Sequence, residues 1–185
     1  DFLEPNQYKN IYRIRFCKFG LARFLSHMET STAFVRAFRR NGLKLAYSAG
    51  FHPHPKISFV AATAVGLESR EEYLDVALAG DETNLTSLKE AINRALPAGL
   101  EIIDMDALPR GAKTLSQSLR GFIYEINLSA DFSDDRMTAV EKNIARFTAS
   151  SSFPVSKQAK GKSMMKDIRP FVKNIFLDRQ KKIIE

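Results

Sequence analysis

The sequence is short of cysteine: Cys17 is the only one. A single thiol closes no internal disulfide and supplies neither an iron–sulfur cluster nor a multi-cysteine zinc site, so a reducing, cytoplasmic setting is expected. No apolar run reaches the roughly 18–20 residues of a membrane span, and the first residues carry no charged-then-apolar leader pattern. A soluble chain with no membrane partner is therefore expected. Acids are scarce in one place above all: between Lys9 and Lys56 there is one, Glu29, against ten Lys and Arg. That stretch is more positive than the whole 185-residue chain, whose net charge is +7. A surface of this kind favours an anionic partner such as RNA or a ribonucleoprotein.

With 44% apolar and 26% charged residues the chain has a globular balance and enough length for a core. Tyr12, Ile14 and Phe16 alternate with Arg13, Arg15 and Cys17, which predicts a half-buried strand over residues 8–17 with a basic outer face. Ser26-His27-Met28-Glu29 has the S-x-x-E form of a capping box, so a helix is expected from His27 to about Asn41, closed by Gly42. Strands are expected over Leu43–Tyr47, Lys56–Ala62 and Tyr73–Leu78, a helix over Leu85–Leu96 and a strand over Leu100–Met105. The order β-α-β-β-α-β predicts an α+β fold whose first unit, residues 1–110, is a ferredoxin-like split βαβ arrangement.

From Gly121 the pattern restarts. Phe122–Leu128 reads as a strand, Asp134 or Asp135 opens a helix, and Phe153–Ser156 reads as a short strand. Lys157–Lys166 reads as a flexible basic loop, followed by a hairpin over Pro170–Leu177 and Lys182–Ile184. Residues 111–185 are thus expected to form a second, partly complete ferredoxin-like unit that stops inside a strand. It is basic too, with nine Lys and Arg against two acids from Lys157 to Lys182.

Three kinds of site compete in this pattern. Phosphate contacts are expected from Arg13, Arg15, Lys18, Arg23, Arg36, Arg40 and Lys56. Phe51 and His54 would lie nearer a base, because Gly50, Pro53 and Pro55 stiffen the SAGFHPHPK loop that carries them. Metal-independent RNA cleavage would use His27 as its acid–base group, next to Arg23 and Ser26. A metal site would use His27, His52 and His54, but no Asp or Glu lies in that loop and histidines beside prolines in surface loops are usually solvated or packed. No metal or other cofactor is expected. Cys17 is expected to pack as a small hydrophobe.

From Lys18 to Leu78, KFGLARFLSHMETSTAFVRAFRRNGLKLAYSAGFHPHPKISFVAATAVGLESREEYLDVAL resembles a bacterial family of radical-SAM-linked proteins, the uncharacterised domain numbered 2344. DIRPFV at Asp167–Val172 looks like a second, weaker signature. The family pattern falls on Lys18, Gly20, Arg23, Ser26, His27, Arg36, Arg40, Ser48, Gly50, Phe51, Pro53, His54, Pro55, Lys56, Gly66, Ser69 and Glu72. The chain departs from it with Ala49 where Gln is usual and His52 where Asn is usual, which takes weight from His52 as a ligand. The resemblance implies a partner, a radical SAM enzyme, rather than an activity. The CxxxCxxC set of such an enzyme is missing from a chain with one cysteine, so this protein is expected to be an accessory module. An RNA- or ribonucleoprotein-binding domain is the first expectation, an endoribonuclease using His27 and a protein-binding module the alternatives.

Overall fold

A computed structural model describes residues 10–80, 82–159 and 162–185, with the backbone alone at Ala159 and Lys162. Tyr8 and Lys9, expected in the first strand, and Lys160 and Gly161, expected in a loop, lie outside the described residues. The chain folds as two compact units, the first ending at Leu119 and the second running from Arg120 to Glu185.

In the first unit, β1 (Asn10–Lys18) alternates as its sequence does: Tyr12, Ile14 and Phe16 are buried while Arg13, Arg15 and Cys17 stay partly exposed. It is followed by α1 (His27–Arg40), β2 (Ile57–Phe59), β3 (Ser69–Leu78), α2 (Leu85–Ala95), β4 (Leu100–Ala107) and the one-turn α3 (Leu115–Ser118). The sheet is antiparallel in the order β2-β3-β1-β4, the order a split βαβ unit requires. Helices α1 and α2 bring Phe34, Phe38 and Ile92 onto the core face, where they join Ile14, Phe16, Leu74, Val76 and Ile102. Phe16 and Phe34 meet edge to face at 4.8 Å.

The helix ends follow the sequence closely. Ser26 and Glu29 form the expected capping box, and Gly42 takes the left-handed conformation (φ 74°) just past α1. Asn84 caps α2. Two expected strands shrink. Leu43–Tyr47 contributes only the bridges Leu45–Leu78 and Tyr47–Pro55, and β2 keeps three residues of Lys56–Ala62. β3 is longer than expected, starting at Ser69 inside the charged stretch, because its outer face accepts charge.

Gly99 binds the turn before β4 to the 3-10 turn at Gly20–Phe24. The Phe19 amide donates to its carbonyl at 2.9 Å. With φ at 90°, a side chain there would meet Phe19 O at 2.3 Å.

The second unit contains β5 (Ile126–Asn127), α4 (Asp134–Ala149), β6 (Pro154–Ala159), β7 (Lys162–Asp167), β8 (Leu177–Asp178) and β9 (Ile183–Ile184). β5, β9 and β8 form one small antiparallel sheet, and β6 pairs with β7 in a separate hairpin. The Lys-rich stretch read as a flexible loop is thus largely strand. Composition suggested a loop, but the cross-strand register Pro154–Asp167 to Ala159–Lys162 and the Ser156–Ser163 hydroxyl pair at 2.8 Å decide otherwise. Phe122–Leu128 is a strand only at its last residues, and Arg169–Phe171 is a 3-10 turn.

The DIRPFV stretch is a staple. Asp167 accepts from the amides of Phe153 and Arg169, and Arg169 donates to the carbonyls of Thr148, Ser150 and Val172 while lying 5.3 Å over the Phe147 ring. A guanidinium at the carbonyl end of α4 complements the helix dipole.

Candidate functional site

The first concentration of polar groups lies where β1 hands over to α1. His27 is the exposed first residue of the helix, with its ring edge-on to Phe59 at 5.0 Å. Beneath it a cavity of about 10 Å³, room for one water molecule, is lined by Lys18, Thr30, Thr63 and Glu72 together with Phe16 and Phe59. Lys18 is 2% exposed and donates to the Leu25 carbonyl at 2.8 Å. Glu72 is 7% exposed and accepts from the Thr63 hydroxyl. Burial pushes the Glu72 carboxyl up, against the opposing pull of Lys18 and a hydrogen bond from Ser69.

A ring of shorter-range contacts holds this end together. Ser26 Oγ accepts from the Glu29 amide at 3.3 Å and the Ser26 amide donates to Glu29 Oε2 at 2.8 Å. Glu68 accepts from the Gly20 amide at 2.9 Å and from Arg23 Nη1 at 3.1 Å. Glu29 is held below the usual carboxylate range by the Ser26 hydroxyl first, and Glu68 by the Gly20 amide first.

Lys18, expected as a phosphate contact, is thus buried. It shares the inward parity of Tyr12, Ile14 and Phe16, and a register shift between Phe16 and Lys18 does not return it to solvent. Arg13 and Arg15 reach the open sheet face, where carboxylates meet them. Asp75 grips Arg13 in a fork of 2.8 and 2.9 Å, while Glu71 and Asp104 stand 3.6 and 3.7 Å from Arg15. Cys17 lies there too, and burial first, then Glu101, pushes its thiol up, opposite to what a nucleophile needs.

The second concentration is built on a hairpin rooted beside the end of β3. Ala46 donates to Ala77 O at 2.9 Å and Lys56 to Ala46 O at 2.7 Å. Above that root the Tyr47–Pro55 bridge closes the loop. Ser48 and His54 then lock it twice: Ser48 N–H to His54 O at 2.8 Å, and His54 N–H to Ser48 Oγ at 3.0 Å. Gly50 sits at φ 123°, a conformation other residues avoid. Phe51 at the tip is 102% exposed, so no core claims its ring. Arg39 braces the hairpin from α1, donating to the Tyr47 hydroxyl at 2.5 Å. Arg36, Arg40 and Lys44 are exposed and make no ion pair among the described residues, and no Asp or Glu occurs between Glu29 and Glu68.

These two concentrations are separate. His27 and Arg40 are the first and last residues of α1, roughly 20 Å apart at 1.5 Å per residue. Lys18 pairs with Ser69 at the start of β3, whereas the hairpin is rooted at Ala77 near its end. The metal reading finds no support in geometry: among the described residues no three His, Cys, Asp or Glu side chains are grouped to hold an ion. His27 packs on Phe59, while His52 and His54 belong to the hairpin. Nor is any helix among the described residues long and apolar enough to cross a membrane.

A family model described as an uncharacterized protein conserved in bacteria matches residues 11–185. The chain belongs to the DUF2344 family. No curated protein matches it. In this DUF2344 chain most of the motif residues named above divide between the two concentrations. Lys18, Gly20, Arg23, Ser26, His27, Gly66, Ser69 and Glu72 surround the start of α1, and Ser48 to Lys56 form the hairpin. Sequence reasoning missed the cavity and Glu72 as a polar partner of Lys18. The signal was the even-numbered parity of β1.

Proposed function

We propose that this chain is the accessory binding module of a radical SAM system and grips RNA or a ribonucleoprotein substrate through the basic surface of its first unit. The observation that carries the reading is a contrast in pairing. Arg36, Arg40 and Lys44 are exposed and make no ion pair among the described residues, while Arg13, Arg15 and Arg23 are paired with carboxylates. The contact surface is therefore the outer face of α1 together with the hairpin, and the open sheet face contributes little. A cytoplasmic setting fits a sequence whose single cysteine is Cys17.

Salt dependence tests it directly. Four phosphate contacts, from Arg36, Arg40, Lys44 and Lys56, give a slope of about −3 in log affinity against log salt on a single strand. Reversing charge at Arg40 and Lys44 lowers both the affinity and the slope. Absence of binding to every RNA tried at low salt overturns the proposal.

A second reading, endoribonuclease action by His27, is favoured by its exposed position over the cavity holding Lys18 and Glu72. Equal cleavage of RNA by wild type and His27→Ala, or none by either, removes it. The protein-binding reading is favoured by Leu21, Phe24 and Met28, which are exposed around the start of α1 and suit an apolar partner surface. Co-elution with a radical SAM enzyme in the absence of nucleic acid would favour it over RNA binding.

A further inference from the structure

We infer that the nucleic acid taken by the hairpin is single-stranded, with Phe51 stacked on an unpaired base; the inference rests on the RNA-binding reading above. The ring of Phe51 is fully exposed at the tip of a loop that is anything but slack. A backbone bridge at Tyr47–Pro55, two hydrogen bonds between Ser48 and His54, and the fixed φ of Pro53 and Pro55 hold the tip before any ligand arrives. Such a tip loses little conformational entropy on binding. An aromatic ring offered to water on a rigid stem, beside a basic surface, suits a flat, unstacked π face.

Duplex RNA does not present such a face. Its bases are stacked inward, its deep groove is too narrow for a side chain, and its shallow groove shows base edges and hydroxyls. A single strand exposes each base in turn and leaves its phosphates free to follow Arg40, Lys44 and Lys56, and there is no carboxylate from Thr30 to Leu67 to repel them. Stacking is tolerant of sequence, since every base has a π face. The hairpin therefore reads strandedness and not sequence.

The absence of tryptophan from the chain provides a direct probe. Phe51→Trp places the only indole at the tip, where stacking on a base quenches its emission. We expect quenching on titration with an unstructured RNA of roughly 12 nucleotides and little with the blunt duplex of the same sequence. In fluorescence anisotropy the wild type prefers the single strand by about tenfold or more, Phe51→Ala loses about tenfold on the single strand, and Phe51→Tyr keeps the affinity. Equal affinity for both forms, with no quenching and no effect of Phe51→Ala, overturns the inference while leaving RNA binding in place, and would assign the ring to a protein contact. Binding of neither RNA form overturns the inference and the reading beneath it together.

Discussion

The two ends of the first unit use their polar residues in opposite ways. At the start of α1, charged and hydroxyl groups are taken up by partners within the fold: Lys18 and Glu72 are buried, while on the surface Glu68 ties down Gly20 and Arg23, and Ser26 and Glu29 close on each other. At the hairpin the polar groups that lock the backbone are few, and Phe51 at the tip has no place in the core. A motif residue can therefore serve the fold at one end and stay open to solvent at the other. Burial tells the two apart where sequence cannot.

Substitutions test that division. Lys18→Ala empties a buried site, removes the donor to the Leu25 carbonyl and withdraws the positive charge that opposes burial of the Glu72 carboxyl, and should cost about 3 kcal/mol, read as a large fall in the denaturation midpoint. An unchanged midpoint would mean that the buried end is not structural. Gly99→Ala should cost about 2 kcal/mol, since a methyl would strike Phe19 O and the residue would be held at positive φ.

Ser26→Ala should cost about 1 kcal/mol at neutral pH through loss of the cap. Glu29 has its folded carboxyl below the ordinary value, so its contribution is present above the unfolded pKa and disappears as pH falls through the folded one. The gap between wild type and Ser26→Ala should therefore narrow in acid, and a constant gap would remove Glu29 from the box. Glu72 has the opposite sign: its folded pKa is raised, so acid relieves rather than removes its effect. At the smallest end of the scale, Phe51→Ala should change the free energy of unfolding by less than about 0.5 kcal/mol. A large loss would show that the hairpin, too, is built for stability.

Much of this first unit was legible in the sequence. The alternation of β1, the S-x-x-E box of α1 and the glycine behind it are local patterns, and local patterns survive folding. Where the reading failed, a distant partner decided. Lys18 was counted with the surface cations because its neighbours are basic, yet its parity with Phe16 carries it inward. Arg13 and Arg15 were read as free because their acids, Asp75, Glu71 and Asp104, lie some 60 to 90 residues further along the chain. In the second unit, β6 and β7 form a hairpin through pairing that Lys-rich composition conceals. The two concentrations of the candidate site were both visible as motifs. That they do not converge was not, because their separation depends on the length of α1 and the register of β3.

The position of β1 in the sheet sets a schedule for synthesis. It is an inner strand whose neighbours are β3 and β4, so Tyr12 faces Val76 on one side and Ala107 on the other. During synthesis β1 leaves the ribosome ahead of both neighbours and must wait for residues roughly 60 and 90 positions behind it, about 3–20 s at ordinary elongation rates. During that interval Tyr12, Ile14 and Phe16 have no sheet to enter. The arginines between them, settled by acids only later, keep this waiting segment charged and so less prone to pair with the wrong strand.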